Sequence, residues 1–177
     1  MIPMIPKMFR DIESRNNCCD PLVVSICPYH HGKPELQEIE ELKIKMAKRY
    51  VNGTRDKSIH ADQDVACALY LKVKDMAGEA KKYYDFESSP AIDDESFTKM
   101  MFLDGCFVLR YIYSSVHPQQ DMDMKIHHKA FVQRDLFLLE NQLPYIVLQA
   151  LMSTTFEASE WKEIIRYGFG LSLNFQV

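Results

Sequence analysis

The chain has 177 residues, 47% of them hydrophobic and 26% charged, which is typical of a single globular domain with its own core. Its formal net charge of −4 disfavours a general nucleic-acid-binding protein, because such proteins more often carry a basic surplus. The five cysteines are odd in number and include no CxxC pair, which argues against a disulfide framework and a thiolate zinc site.

Residues 1–33 are predicted to form an extended strap packed on the core, since four prolines punctuate them. Their apolar run LVVSI at 22–26 fits either a brief strand or an extended segment pinned to a core. Tyr29 is followed by His30 and His31, which point to opposite sides of an extended segment and chelate poorly without more distant ligands. We expect one imidazole to pack and donate a hydrogen bond and the other to be exposed, and we predict no metal ion.

Apolar residues recur at helical spacing through residues 34–167, which predicts an all-α fold, an irregular helical bundle in a single domain. The predicted helices cover residues 34–51, 62–84, 96–115 and 128–140, a helix from about residue 143, and 156–167. Residues 168–177 are expected to be a frayed or truncated tail. Asp93 and Asp94 favour the start of helix 96–115, which is apolar on nearly every side and is expected to lie at the centre.

Three further features of the helices have an interpretation by residue type. The basic residues at 43–45 (Lys-Ile-Lys) stand among acidic residues and indicate a solvated helix face. Cys67 and Cys106 lie in apolar runs and are expected to be small core residues. Gly78 is expected to bend its helix or to let it pack closely.

Two carboxylates fall on apolar helix faces. Asp104 lies three and four residues from apolar neighbours on both sides, and Glu140 has the same spacing on the next helix. A carboxylate is buried only when it is paired, multiply hydrogen-bonded or protonated, so we expect both to anchor an arginine, a helix terminus or the strap. Asn141 is expected to help Glu140 at this helix corner or to cap the next helix. Gly105 indicates close approach of another backbone.

Four blocks of residues then resemble one family in the right order. These are Ile5-Pro6 with Arg10, VSICPYHHG at 24–32, FTKMMFLDGCF at 97–107 and DLFLLENQLP at 135–144. They are similar to the signatures of a large land-plant family, domain of unknown function 247, also called uncharacterised protein family 0481. Cys27 stands where that family usually has glycine, so a positive φ at this position would strain it.

The resemblance implies a plant protein that is the N-terminal part of a longer family domain. Full-length relatives usually carry a C-terminal apolar segment taken as a membrane anchor, and they have no established catalytic residues or cofactor. Some grass members are implicated in pollen self-incompatibility. In this chain no apolar run is long enough to cross a bilayer, so we expect it to be cytoplasmic, with membrane attachment reserved for full-length relatives.

Three functional hypotheses remain open. The first is a non-enzymatic interaction or recognition protein with an unidentified protein partner, no nucleic acid and no cofactor, since no Rossmann, P-loop or GxSxG motif occurs. The second is an acid–base hydrolase that uses Asp104, Glu140 and His30 or His31. The third is a truncated product with little independent function. The aromatic residues at 83–86 either cap the core at a helix end, which we favour, or form an exposed interaction surface.

Overall fold

The computed structural model describes residues 2–10, 19–55, 64–86, 92–117 and 124–153. Within these ranges the chain is helical and contains no strand, which confirms the all-α prediction; its one β-type pairing is an isolated bridge between Ile2 and Tyr84. The elements in chain order are α1 (Lys7–Arg10), a 3₁₀ turn (Pro34–Leu36), α2 (Gln37–Arg55), α3 (Val65–Lys81), α4 (Asp94–Val116), α5 (Ile126–Leu136) and α6 (Tyr145–Met152). The predicted helix at 156–167 and the tail at 168–177 lie outside the described residues.

Helix α4 is the centre of the bundle, as its all-round apolar character predicts. It packs against α2, α3 and α6, and Phe97, Met101 and Phe107 on it are fully buried. Its first turn is held by Asp93, whose side chain accepts a hydrogen bond from the Ser96 N–H. A side-chain cap of this kind satisfies one of the amides that a helix start leaves without a partner.

Helices α2 and α3 flank α4 and depart from the prediction in detail. Pro34 opens the 3₁₀ turn, where its missing N–H costs nothing, and α2 continues past Gly53 to Arg55. Helix α3 is shorter than predicted because Asp64 caps it by accepting a hydrogen bond from the Cys67 N–H. The prediction that Cys67 is a core residue is wrong, since this cysteine is exposed, whereas Cys106 is fully buried.

The predicted close packing at Gly78 is also wrong. No atom lies within 4 Å of the position that a Cβ atom would take there, so this exposed glycine does not accommodate a neighbouring element. The alternative expectation, a bend of α3 at this glycine, stays a prediction, and the glycine lowers the intrinsic helix propensity of α3.

The chain between α5 and α6 is an eight-residue connector rather than a continuation of α5. Helix α5 ends at Leu136, so the prediction that Glu140 lies on this helix is wrong. Helix α6 begins after Pro144 without a side-chain cap, so Asn141 does not cap it. Residues 137–144, which we call the connector, thereby present Glu140 and Asn141 to the N-terminal strap.

The described residues of the strap contact the connector through Ile5, Arg10 and Ile26, and Lys7–Arg10 among them form α1. Residues 22–26 adopt no strand, which decides between the two sequence interpretations, and Val24 and Ile26 are buried in the core. No helix in the described part of the chain is long and apolar enough to cross a membrane.

Candidate functional site

The strongest polar contacts of the strap converge on Asp135, the penultimate residue of α5. One carboxylate oxygen accepts the backbone N–H groups of Leu22, Val23 and Val24 at 2.9, 2.8 and 3.1 Å. The other oxygen accepts a hydrogen bond from Arg134 at 2.7 Å, and the carboxylate is fully buried. Three consecutive amides on one charged acceptor fix the backbone of the strap far more firmly than apolar contact alone.

Asn141 extends this anchorage by one step along the strap. Its side-chain oxygen accepts the Ile26 N–H at 2.7 Å, and its amide nitrogen donates to the carbonyl oxygens of Val24 and Asp135 at 2.9 and 3.0 Å. The side chain is fully buried and hydrogen-bonds to both a donor and an acceptor of the strap backbone. The asparagine amide suits this position because it accepts through its oxygen and donates two N–H groups, whereas an ionised aspartate could only accept.

Glu140 binds the first residues of the chain. Its carboxylate accepts the Ile5 N–H with one oxygen and Arg10 of α1 with the other, while its side chain is 0% exposed. Arg10 also donates to Asp20 at 2.9 Å. The prediction that Glu140 anchors an arginine and the strap is consistent with this placement, although the helical geometry assumed for it is not.

The charges around Asp20 balance one another. Burial alone would raise the pKa of Asp20, but the Arg10 guanidinium and the Lys33 ammonium, which lies 3.3 Å away, lower that pKa below its ordinary value. The same carboxylates raise the pKa of Arg10 despite its partial burial. Two cations and the two carboxylates of Asp20 and Glu140 therefore form a charge-neutral group between the strap, α1 and the connector.

His30 lies inside this group, and His31 lies outside it. The His30 ring is 2% exposed, with Nδ1 3.5 Å from Asp20 and Nε2 3.4 Å from Glu140, but neither contact meets hydrogen-bond geometry. Burial lowers the pKa of His30, and nearby Lys33 lowers it further against the pull of the two carboxylates. His31 is exposed, as expected for one ring of the pair, and the two residues lie in a turn rather than in an extended segment. The expected hydrogen bond from the buried ring is absent among the described residues.

Asp104 forms a second buried ion pair with a residue that the sequence interpretation placed at the surface. Lys43 is 0% exposed, and its ammonium contacts Asp104 at 2.7 Å, Glu40 at 2.6 Å and the Ser25 carbonyl oxygen of the strap. The interpretation of residues 43–45 as a solvated face is therefore wrong for Lys43. The same spacing that marks Asp104 marks Lys43, which lies four residues after Ile39 and seven before Tyr50 on the buried face of α2.

One ammonium between two carboxylates leaves this cluster with a surplus negative charge. Burial raises the pKa of Asp104 to about 6, and the Lys43 ammonium only partly opposes that effect. Oxygen Oδ2 of Asp104 has no hydrogen-bond partner in the described part of the chain. The pKa of Lys43 is nonetheless raised, because Asp104 and Glu40 outweigh its own burial. The lysine thus stays charged, whereas this aspartate takes up a proton at a higher pH than an ordinary aspartate does.

Tyr29 joins the strap to the end of α3. Its hydroxyl donates to the Ile2 carbonyl oxygen at 2.9 Å and accepts the Asp85 N–H at 2.7 Å. Its ring meets Tyr84 edge to face at 5.6 Å, and Tyr84 meets Phe97 in the same way. Because Tyr84 is buried, the aromatic residues at 83–86 cap the core at a helix end, as the sequence favoured.

Two glycines of the signature blocks, Gly32 and Gly105, stand where a side chain would be strained or would clash. Gly32 has a φ of +79°, a conformation that L side chains rarely adopt, and it turns the chain from the strap toward α2. A Cβ atom on Gly105 would stand 2.5 Å from Leu151 of α6 and 3.4 Å from Val147. Gly105 therefore does admit a close neighbour, but the neighbour is a pair of side chains rather than the backbone that we expected.

The arrangement offers little for catalysis in the residues that the structure describes. Asp104 is 1% exposed and Glu140 0%, and each is committed to a different cation. Two cavities among the described residues, of about 300 and 610 Å³, are not lined by Asp104, Glu140 or His30. In the same residues no group of three or more His, Cys, Asp or Glu side chains is placed to hold a metal ion.

Comparison with known proteins gives one consistent result. A family model described as a plant protein of unknown function, domain of unknown function 247, matches residues 2–172. A UPF0481 protein of Arabidopsis thaliana is 33% identical over 135 residues, which is 74% of this chain and 27% of that relative. A second UPF0481 protein of the same plant is 26% identical over 141 residues, 79% of this chain and 25% of the relative. The chain thus spans about a quarter of the length of these relatives. No solved structure matches it.

Proposed function

We propose that this chain, which belongs to the domain of unknown function 247 family of plant proteins, acts as a non-enzymatic protein-interaction domain. One observation carries the proposal: the polar residues of its signature blocks are used to hold the strap on the helices. Asp104, Glu140 and Asn141 are each 1% exposed or less. Side chains in such positions build a rigid frame and do not meet a substrate.

A hydrolase would need a different arrangement of the same acids. General acid–base catalysis requires a titratable group within hydrogen-bond reach of a bound substrate, which in turn requires a cleft. The burial of Asp104 against Lys43, and of Glu140 against Arg10, favours the interaction hypothesis over the enzymatic one.

The surface supplies a place for a partner. Of the large apolar side chains that are exposed in the described residues, four fall within residues 131–145, from the middle of α5 through the connector to the start of α6. They are Phe131, Phe137, Leu139 and Tyr145, with exposed fractions of 42%, 44%, 68% and 57%. Exposed aromatic and aliphatic residues in one region are typical of protein interfaces. We name this region the α5–α6 corner and assign the partner contact to it.

The test is affinity purification of the tagged chain from plant tissue, with the soluble and membrane fractions kept apart. The parent is expected to recover a near-stoichiometric partner. Leu139→Lys is expected to lose that partner. Leu71→Lys is the matched control, since Leu71 is also exposed, at 49%, but lies on α3. Equal recovery by both variants contradicts the assignment to the corner, and recovery of chaperones alone contradicts the proposal.

The affinity purification and a thermal melt address the two finer alternatives. A partner found in the membrane fraction extends the proposal to membrane-associated recognition, the kind of role that the family resemblance implies for some grass members. A truncated product with little independent function predicts a loose fold, so a cooperative thermal melt of the isolated chain counts against that alternative.

A further inference from the structure

A cavity of about 300 Å³ lies between the C-terminal half of α4, the end of α5, the connector and α6. Its walls include Val108, Ile112 and Phe137, and Ile26 of the strap also lines it. The volume is at the lower end of the range that holds small organic molecules in proteins. The cavity shares Phe137 with the α5–α6 corner, but Leu139, the residue chosen to test the protein partner, is not among its walls.

The chemistry of the walls limits what the cavity accepts. No charged residue is among the described residues that line it, so a charged ligand would lose its hydration without gaining a counter-ion. The polar groups on the wall are neutral: the side chains of Ser115, Gln133 and Gln142 and the phenol of Tyr111. Ser115 already donates to the Tyr111 carbonyl oxygen at 2.9 Å, which leaves its oxygen free to accept.

The two glutamines supply the remaining specificity. Within the described part of the chain their side-chain amides have no hydrogen-bond partner, although both residues are half-buried. Neither amide is among the buried polar atoms without a partner, so water reaches both, and a ligand with one hydrogen-bonding group can replace that water.

We propose that this cavity binds an uncharged, largely apolar small molecule with a single hydrogen-bonding group. Its size suits two or three rings or a chain of similar bulk. Because Ile26 forms part of the wall and its N–H is held by Asn141, a bound molecule contacts the strap and stabilises its attachment. The proposal stands independently of the protein partner.

The test uses two fluorescent probes that share one ring system. N-phenyl-1-naphthylamine is uncharged and has one N–H group, whereas 8-anilinonaphthalene-1-sulfonate carries a sulfonate on the same skeleton. The isolated chain is expected to bind the neutral probe saturably with one-to-one stoichiometry and the sulfonate at least tenfold more weakly. Absence of saturable binding of the neutral probe, or equal affinity for both, overturns the proposal.

Variants locate the probe. Ser115→Phe places a phenyl group in the cavity and is expected to weaken binding of the neutral probe at least tenfold. Lys99→Phe adds the same group to the exposed face of α4 and is expected to leave binding unchanged. Leu139→Lys, which is meant to remove the protein partner, is also expected to leave it unchanged, so the two proposals fail separately. Unchanged affinity in Ser115→Phe contradicts the cavity as the site.

A measurement on the unaltered chain guards against misfolding of Ser115→Phe. Photolysis of the uncharged 1-azidonaphthalene with the parent chain, followed by peptide mapping, is expected to label residues 108–115 and 133–148. Labelling spread evenly over the chain, or confined to other segments, overturns the assignment.

Discussion

Replacing Asp135 with asparagine isolates the contact that holds the middle of the strap. The carboxylate accepts three consecutive backbone N–H groups at 2.8–3.1 Å with one oxygen and Arg134 with the other. In Asp135→Asn an amide oxygen can still face the three N–H groups, but the bonds lose their charge. The amide NH₂ group then faces the Arg134 guanidinium, donor against donor.

The magnitude follows from the difference between charged and neutral hydrogen bonds. A bond to a charged group contributes about 1.5–3 kcal/mol and a neutral one about 0.5–1.5 kcal/mol, so each of three bonds weakens by roughly 1 kcal/mol. Leu22 is 41% exposed, so water replaces part of its loss. We therefore expect Asp135→Asn to lower the free energy of unfolding by about 2–3 kcal/mol, a large share of the 5–15 kcal/mol typical of a domain.

Urea denaturation followed by circular dichroism measures this change. Asp75→Asn is the control, since Asp75 is exposed on α3 and the same chemical change there removes no buried contact. The two variants should differ in midpoint while the slope stays that of the parent. A midpoint for Asp135→Asn equal to that of Asp75→Asn would refute the reasoning, because it would mean that the strap is held by apolar contact alone.

Three further predictions concern the other buried polar groups and the glycines. Lys43→Met is expected to lower the free energy of unfolding by about 3–5 kcal/mol, because it leaves the Asp104 carboxylate buried without a cation. Asp104→Asn alone is expected to lower it by about 1–3 kcal/mol. The double variant should lose less than the sum of the two single losses, and additive losses in urea melts would mean that the two residues do not interact. The pKa of His30 is lower in the folded chain than its ordinary value of 6.5, so its contribution to the free energy of unfolding is complete above pH 6.5 and is lost as the pH falls through the folded pKa. The pKa of Asp104 is raised from 3.8 to about 6, so this residue adds to the free energy of unfolding as the pH falls from 6 to 3.8, which is the opposite direction. His30→Gln should therefore lose less stability than the parent between pH 7.5 and pH 6, and an equal loss would exclude His30 as the cause. Gly78→Ala should raise the free energy of unfolding by about 0.5–1 kcal/mol, because alanine has the higher helix propensity. Gly105→Ala should lower it, because overpacking against α6 costs roughly 1–3 kcal/mol. Thermal melts that rank the two variants in the reverse order would contradict the close packing of Gly105 against α6.

Helix α4 could be predicted to within two residues at each end because local signals agree there. Its capping aspartates, its length and its apolar faces all lie within one stretch of sequence, and the same period placed Asp104 in the core. Glu140 shows the limit of that method. Apolar residues continue at helical spacing beyond Leu136, where α5 ends, so a prediction from spacing alone makes the helix too long. In the structure Glu140 lies outside α5 and contacts Ile5 and Arg10.

Those contacts could not be predicted because they join residues more than a hundred positions apart. Glu140 pairs with Arg10, 130 positions away, and Asn141 binds Ile26, 115 positions away. No local pattern encodes such a pairing. Lys43 is different, since its spacing on the apolar face of α2 was available in the sequence and was outweighed by the expectation that lysine is exposed. Applying one rule to acids and bases alike would have found it.

Amide hydrogen exchange of the strap tests most directly whether the signature residues hold it on the helices. The N–H groups of Val24 and Ile26 are not available to donate to water, because they donate to Asp135 and Asn141 in the buried core. Measured residue by residue by NMR at pH 7, these two amides should exchange about as slowly as those of Phe107 in α4. Exchange at Val24 and Ile26 within a few-fold of the unprotected rate, with α4 still protected, would contradict the account.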